Sequence, residues 1–320
     1  MRSAFVKLLA ASCLAFTAFS LSAQDWAKAA LEKSSRHREY VPLKHGDRTV
    51  QAFVVYPEVS NKAAVIVLIH EIFGLSDWAK LMADELAGKG YIVVAPDLLS
   101  GVGPNGGGTD SLGGQDAVTK AISGLSPDQV TADLDAAADY GKKLSAANGK
   151  LYVAGFCWGG GKTFAYATHR HDLSAAFVFY GPPPPTDALK NITAPVYGFY
   201  AGNDARITAT VPATTEAMKA AGKKYEPVVY DGAGHGFMRA GQAPDATDAN
   251  KRAYDEGLKR MLSVISGSGS AAVPALEKPA PAGNEVGRAT MAMSGTTPAA
   301  MDCHDEAAKT NGEMAALMKK

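Results

Sequence analysis

Tyr152-Val153-Ala154-Gly155-Phe156-Cys157-Trp158-Gly159-Gly160-Gly161-Lys162-Thr163 is the stretch whose reading decides the fold. An apolar strand runs into a sharp turn, and the turn runs into a helix. The turn has the form G-x-C-x-G-G, the nucleophile-elbow pattern with cysteine in the place of serine. A residue at the tip of such a strained turn presents its side chain above the sheet edge. Gly155 and Gly159 flank it because a Cβ at either site would collide with neighbouring backbone. A helix starting just after Cys157 aims free N–H groups and its positive end at the sulfur, an arrangement that suits a thiolate. The plainer reading is a buried cysteine in a glycine-rich βα turn; the spacing favours the nucleophile.

Working outward, apolar strands alternate with helical patterns from residue 49 to 265. Thr49 to Tyr56 alternates in hydropathy, and Lys62 to Ile69 is an apolar run of the kind buried on both faces. Tyr91 to Ala95, Lys150 to Ala154, Ala175 to Tyr180, Val196 to Ala201 and Tyr225 to Tyr230 read as further strands. Helical patterns lie between them, one capped by Ser76 or Asp77 and another opened by Ser126-Pro127-Asp128. The alternation predicts an α/β fold: a mostly parallel sheet with helices on both faces. Such sheets hold ligands at the carboxyl ends of their strands. Glu71, Cys157, Asp204 and His235 each follow a strand. Gly101 to Gly114 contains seven glycines and no periodicity, and reads as a long flexible loop.

A cysteine that attacks an acyl carbon needs a base and a group to orient that base. The order nucleophile, acid, histidine reads here as Cys157, Asp204, His235, the order found in α/β-hydrolases. His235 lies in a glycine-lined loop, Gly-Ala-Gly-His-Gly-Phe. Asp231 is a rival acid, but it sits only four residues before His235, so the reading prefers Asp204. The plainer readings are a turn-forming aspartate and a satisfied loop histidine.

With these residues in view, positions 45–265 resemble the dienelactone hydrolase family, the cysteine-dependent branch of the α/β-hydrolases. His70-Glu71-Ile72-Phe73-Gly74, Ala95-Pro96-Asp97-Leu98, Gly155-Phe156-Cys157-Trp158-Gly159-Gly160 and Gly234-His235-Gly236-Phe237 followed by Arg239 carry the resemblance. It implies an α/β-hydrolase fold with a Cys157–His235–Asp204 triad, and a Glu71 that faces the cysteine and helps switch thiol to thiolate. Read without the resemblance, Glu71 could equally be a surface carboxylate. The resemblance also implies an oxyanion hole from the backbone N–H groups of Ile72 and Trp158, and substrate contacts from Arg239 and Phe73. The implied reaction cleaves a small ester or lactone through an acyl-thioester, with neither metal nor organic cofactor. One element of the family pattern is missing. Members that open dienelactone hold its carboxylate with two arginines; Arg239 matches one, but Pro96-Asp97-Leu98-Leu99-Ser100-Gly101 carries no counterpart of the other. Arg206 could substitute, although it reads more simply as an exposed loop charge. The glycine-rich loop would then be a lid or a wider pocket wall.

Composition sets the remaining bounds. The chain has 320 residues, 47% hydrophobic and 20% charged, as in a globular protein. Thirty-two basic residues balance 32 acidic ones, so no basic excess exists to neutralise phosphates and nucleic acid is not expected as a partner. Met1 to Ala23 reads as a secretory signal peptide, with Arg2 and Lys7 before an apolar run that ends in Ser22-Ala23. Its removal takes away two positive charges and no negative ones, leaving 30 against 32 and a net charge of −2. The expected organisation is then an N-terminal arm (24–44), the hydrolase domain (45–265), a Ser/Gly/Ala/Pro-rich linker (266–300) and a polar tail (301–320). The expected location is the periplasm or outside the cell, with no membrane partner after processing and a monomer favoured. Cys157 and Cys303 are not expected to pair, since one lies in the elbow and the other beyond the linker. Met291, Met293, Met301, Cys303, His304, Met314 and Met318 are soft donors that suit Cu(I) but have no fixed ligand spacing, so no metal site is assigned there. Two rival functions remain at this level: a non-catalytic binder of a small acidic ligand or a metal on the same fold, and a thiol redox sensor at Cys157.

Overall fold

The computed structural model describes residues 25–267. The expected signal peptide, nearly all of the linker and the methionine-rich tail lie outside the described residues. In chain order the elements are α1 (Asp25–Glu32), β1 (Arg38–His45), β2 (Arg48–Val55), β3 (Ala63–Ile69), α2 (Asp77–Gly88), β4 (Ile92–Pro96), α3 (Gln115–Ser123), α4 (Pro127–Lys143), β5 (Ala147–Phe156), α5 (Trp158–Ala167), β6 (Ala175–Phe179), β7 (Val196–Ala201), α6 (Ala205–Thr208), α7 (Val211–Ala220), β8 (Tyr225–Tyr230), α8 (Phe237–Ala240) and α9 (Asp248–Ser266). The strands form one sheet in the order β1-β2-β4-β3-β5-β6-β7-β8. The β1–β2 and β2–β4 pairs are antiparallel, and every other pair is parallel.

The apolar runs are continuous because both faces are covered. In β3, Ala64, Ile66 and Leu68 point to one layer and Ala63, Val65, Val67 and Ile69 to the other. This is the two-residue period of a strand. The first layer holds α2 and α9, with Trp78 packed edge-on against Phe156 at 5.2 Å. The second holds α4, α5 and α7, through Leu134, Phe164 and Met218. Helix starts follow the sequence signals. Ser76 accepts from the Ala79 N–H and Ser126 from the Gln129 N–H, with Pro127 in the first turn of α4.

Two segments differ from the sequence reading. Residues 38–44, placed in the N-terminal arm, and His45 together form the edge strand β1, paired along its whole length with β2. Only Leu43 of this strand is buried, so its apolar signal is weak, and charged residues on an edge protect it from pairing with other chains. Helix α1 ahead of it buries Ala27 and Leu31. The glycine-rich stretch 101–114 is pinned rather than free. Asp97, buried at the end of β4, accepts from the Thr109 N–H at 2.8 Å and from the Thr109 hydroxyl at 2.7 Å. The Leu75 N–H donates to the same hydroxyl oxygen, and Lys80 pairs with Asp110 at 3.0 Å. The glycines permit that approach: a Cβ on Gly108 would overlap the Asp97 carboxylate.

Candidate active site

The sheet order turns four separate strand ends into one row. Glu71 and Ile72 follow β3, Cys157 follows β5, Asp204 follows β7 and His235 follows β8. These strands lie side by side with only β6 between β5 and β7. Tyr180, the residue after β6, completes the row.

Cys157 sits at φ 56° and ψ −119°, a left-handed conformation that a non-glycine residue rarely adopts. Its N–H is held by the Phe179 carbonyl at 3.1 Å, and its own carbonyl accepts from Gly161 as α5 begins. The flanking glycines are required sterically. A Cβ on Gly155 would overlap the Gly159 carbonyl, and one on Gly159 would overlap the carbonyls of Ile69 and His70. Gly159→Ala is therefore expected to lower stability by about 3 kcal/mol, read as the shift in the urea unfolding curve; an unshifted curve would refute the assigned packing.

His235 Nδ1 lies 2.6 Å from Asp204 Oδ2. Asp204 is itself buried and also accepts from the Ile207 N–H, at the start of α6. Burial by itself would lower the pKa of His235, but hydrogen bonds to Asp204 and to Cys157 raise it to about 10. The imidazole thus bridges carboxylate and sulfur. Asp231, the rival acid, is exposed. Arg206 is exposed too, and acts on the site only through its charge, which helps hold the Asp204 carboxyl low.

Glu71 is not a surface carboxylate. It is 1% exposed, bonded by Arg239 Nε at 2.8 Å and approached by the Tyr180 hydroxyl at 3.5 Å. The charge of Glu71 chiefly raises the Arg239 pKa, with Cys157 contributing. Arg239 lies over the Phe73 ring at 5.1 Å. Tyr180 was missed by the sequence reading. It is fully buried at φ 40°, edge-on to His235 and to Phe237 at 5.1 Å each. Burial first, then the Glu71 charge, hold its phenol protonated as a donor. The signal for it was the strand-end rule that found the other residues: Tyr180 follows β6, just ahead of a run of prolines that reads as a loop. Ile72 is buried beside the elbow cluster, and the Trp158 ring stacks on His70 at 5.8 Å.

An eight-stranded, mostly parallel sheet with helices on both faces and this row of side chains on its carboxyl edge is an α/β-hydrolase fold. The chain belongs to the dienelactone hydrolase family, which it matches over residues 50–267. A relative from Methylorubrum extorquens named "Putative carboxymethylenebutenolidase" is 33% identical over 231 residues, covering 67% of this chain and 78% of the relative. One of the same name from Salmonella typhi is 34% identical over 227 residues, covering 66% of this chain and 80% of the relative. The crystal structure of a "Putative Dienelactone Hydrolase" from Klebsiella pneumoniae superposes with a TM-score of 0.64 at 27% identity, over 73% of this chain and 99% of that one. The chain is a hydrolase acting on ester bonds.

Proposed function

We propose that this chain hydrolyses small carboxylic esters or lactones, as the names of its relatives suggest, through a Cys157–His235–Asp204 triad. One observation carries the reading: the His235 imidazole is hydrogen-bonded to Asp204 on one side and to Cys157 on the other, at a strained elbow. In this reading Cys157 passes its proton to His235 and attacks the acyl carbon, and the backbone N–H groups of Ile72 and Trp158 stabilise the oxyanion. The alcohol leaves with a proton from His235, and an acyl-thioester remains. His235 then takes a proton from water, which attacks the thioester and releases the acid and the thiol. Asp204 keeps Nδ1 as the proton-bearing nitrogen throughout, so that Nε2 works on the sulfur and the water. Glu71 and Tyr180 place a carboxylate and a donor beside the nucleophile. Arg239 offers the cation for a substrate carboxylate: its Nε is taken by Glu71, while no described residue bonds its terminal nitrogens. Phe73 forms the apolar wall under it.

The test is turnover of dienelactone, simple aryl esters and a thioester by residues 24–320 under reducing conditions, with Cys157→Ala beside it. A preference for dienelactone would mean that one arginine suffices for its carboxylate. A preference for neutral aryl esters would remove Arg239 from substrate binding.

Export belongs to the same proposal, supported by the basic-then-apolar pattern of Met1 to Ala23. The chain recovered from a periplasmic extract is expected to begin at or next to Gln24. A chain that keeps Met1 and stays in the cytoplasm would refute it.

A further inference from the structure

His70 takes part in no step of the mechanism above, yet it is fully buried at the end of β3. Its Nδ1 lies 2.8 Å from the Glu71 carbonyl oxygen, and its Nε2 lies 3.4 Å from the Leu98 backbone nitrogen. A carbonyl oxygen only accepts and an amide N–H only donates. Both contacts therefore assign one tautomer, with the proton on Nδ1. Burial lowers its pKa against the opposing charge of Asp97, which keeps the ring neutral and the tautomer single.

The bond to the Glu71 carbonyl has a geometric consequence. The Glu71 C=O and the Ile72 N–H are the two ends of one peptide plane. No described peptide bond is cis, and in a trans peptide these groups point in opposite directions. A grip on the carbonyl therefore sets the direction of the Ile72 N–H. The Gly74 N–H holds the same oxygen at 3.1 Å, from a tight turn. Two donors on one carbonyl leave the plane little freedom to rock. The other face of this contact is the Trp158 ring, stacked nearly parallel to His70 at 10°. Trp158 carries the second proposed oxyanion donor. One neutral, buried ring thus bonds the peptide that carries the Ile72 N–H and stacks on the side chain of Trp158.

We propose that His70 is a positioning residue for the oxyanion hole: its Nδ1–H locks the Glu71–Ile72 peptide plane, and its ring seats Trp158. This rests on the ester-hydrolase reading, with Ile72 and Trp158 as the donors. The effect belongs to the transition state, because charge on the oxygen develops only there. Misplacing one donor should lower kcat and leave substrate binding almost unchanged.

The experiment compares His70→Leu with His70→Asn on an aryl ester. Asparagine places an amide N–H where Nδ1–H stands, and leucine removes it. His70→Leu is expected to lower kcat by about 10- to 100-fold with KM within about threefold of wild type. His70→Asn is expected to recover most of that loss. Alkylation of Cys157 by iodoacetamide forms no oxyanion, so its rate should stay within about twofold in both variants. Nitrogen-15 NMR of the histidine-labelled wild-type enzyme should show His70 protonated on Nδ1. Wild-type kcat in His70→Leu would overturn the proposal. So would alkylation slowed as much as hydrolysis, which marks a general disturbance of the elbow. If the leucine variant does not fold, an Nε2–H tautomer, or a His70→Asn variant that folds and loses kcat as an unpositioned hole would, overturns it. Hydrolysis that survives in Cys157→Ala would instead overturn the Cys157 mechanism on which the oxyanion-hole assignment rests, and is measured first.

Discussion

Cys157→Ala is expected to lower ester hydrolysis by about 10⁴-fold or more, while leaving the fold and its stability close to wild type. The size follows from the bond that is lost. Without a nucleophile the enzyme cannot form the acyl-thioester, and the oxyanion donors and His235 can only assist water directly. The small structural cost follows from the position: the sulfur sits at a turn whose geometry is set by Gly155, Gly159 and the Cys157 backbone bonds, and alanine keeps all of these. Cys157→Ser should also be slow, because a hydroxyl surrenders its proton to imidazole far less readily than a thiol. Steady-state rates on an aryl ester, with circular dichroism as the control for folding, decide the matter. Equal rates for wild type and Cys157→Ala would end the cysteine mechanism.

Asp204→Asn is the second large effect, expected at about 10³- to 10⁴-fold in kcat, since an amide at this position can favour the wrong imidazole tautomer. It also predicts a pH signature in stability. His235 is raised from 6.5 to about 10 in the folded protein, so its contribution is fully present below about pH 6.5 and is lost as pH rises through about 10. For Asp204, burial pushes the carboxyl upward, but the hydrogen bond and charge of His235 outweigh it and hold it below its usual 3.8. That contribution is present above about pH 3.8 and is lost as pH falls through the lowered value. The stability gap between wild type and Asp204→Asn should therefore be widest between about pH 4 and 6.5 and close toward both extremes. Urea midpoints across pH measure it. A gap that does not change with pH would mean that the two groups are not coupled.

The site explains why its members come from distant positions. In an α/β sheet each strand end delivers one residue to a common edge, and the neighbours along that edge are set by strand order. Glu71 and Arg239 are 168 residues apart yet share an ion pair at 2.8 Å. That pair, the Tyr180 hydroxyl and the Cys157–His235 bond form one polar cluster at the carboxyl edge of the sheet, with Glu71 and Tyr180 buried and His235 open to solvent.

Much of this was legible before any coordinates. The apolar runs around Val65, Val93 and Val153 had to be covered on both faces. The spacing Gly155-Phe156-Cys157-Trp158-Gly159 left room for one conformation at the turn, and the order of Cys157, Asp204 and His235 pointed to the proposed triad. These are local facts: hydropathy over a strand, the absence of a Cβ, the chemistry of a thiol. The closeness of Asp231 to His235 in sequence argued for Asp204 instead, and the structure puts His235 Nδ1 on Asp204 while Asp231 is exposed. What depended on the third dimension was of another kind. Arg38–His45 became a strand because β2 offered it an edge. Residues 101–114 became ordered because Asp97, twelve residues before Thr109 in the chain, is buried at the sheet edge and offers it two acceptors. Tyr180 and His70 entered the site because β6 lies between β5 and β7 and because β3 ends against Trp158. Local pattern determines which residues can form a strand, a turn or a nucleophile, since those depend on near neighbours. Which buried polar group meets which partner depends on strand order and packing, and only the tertiary structure decides that.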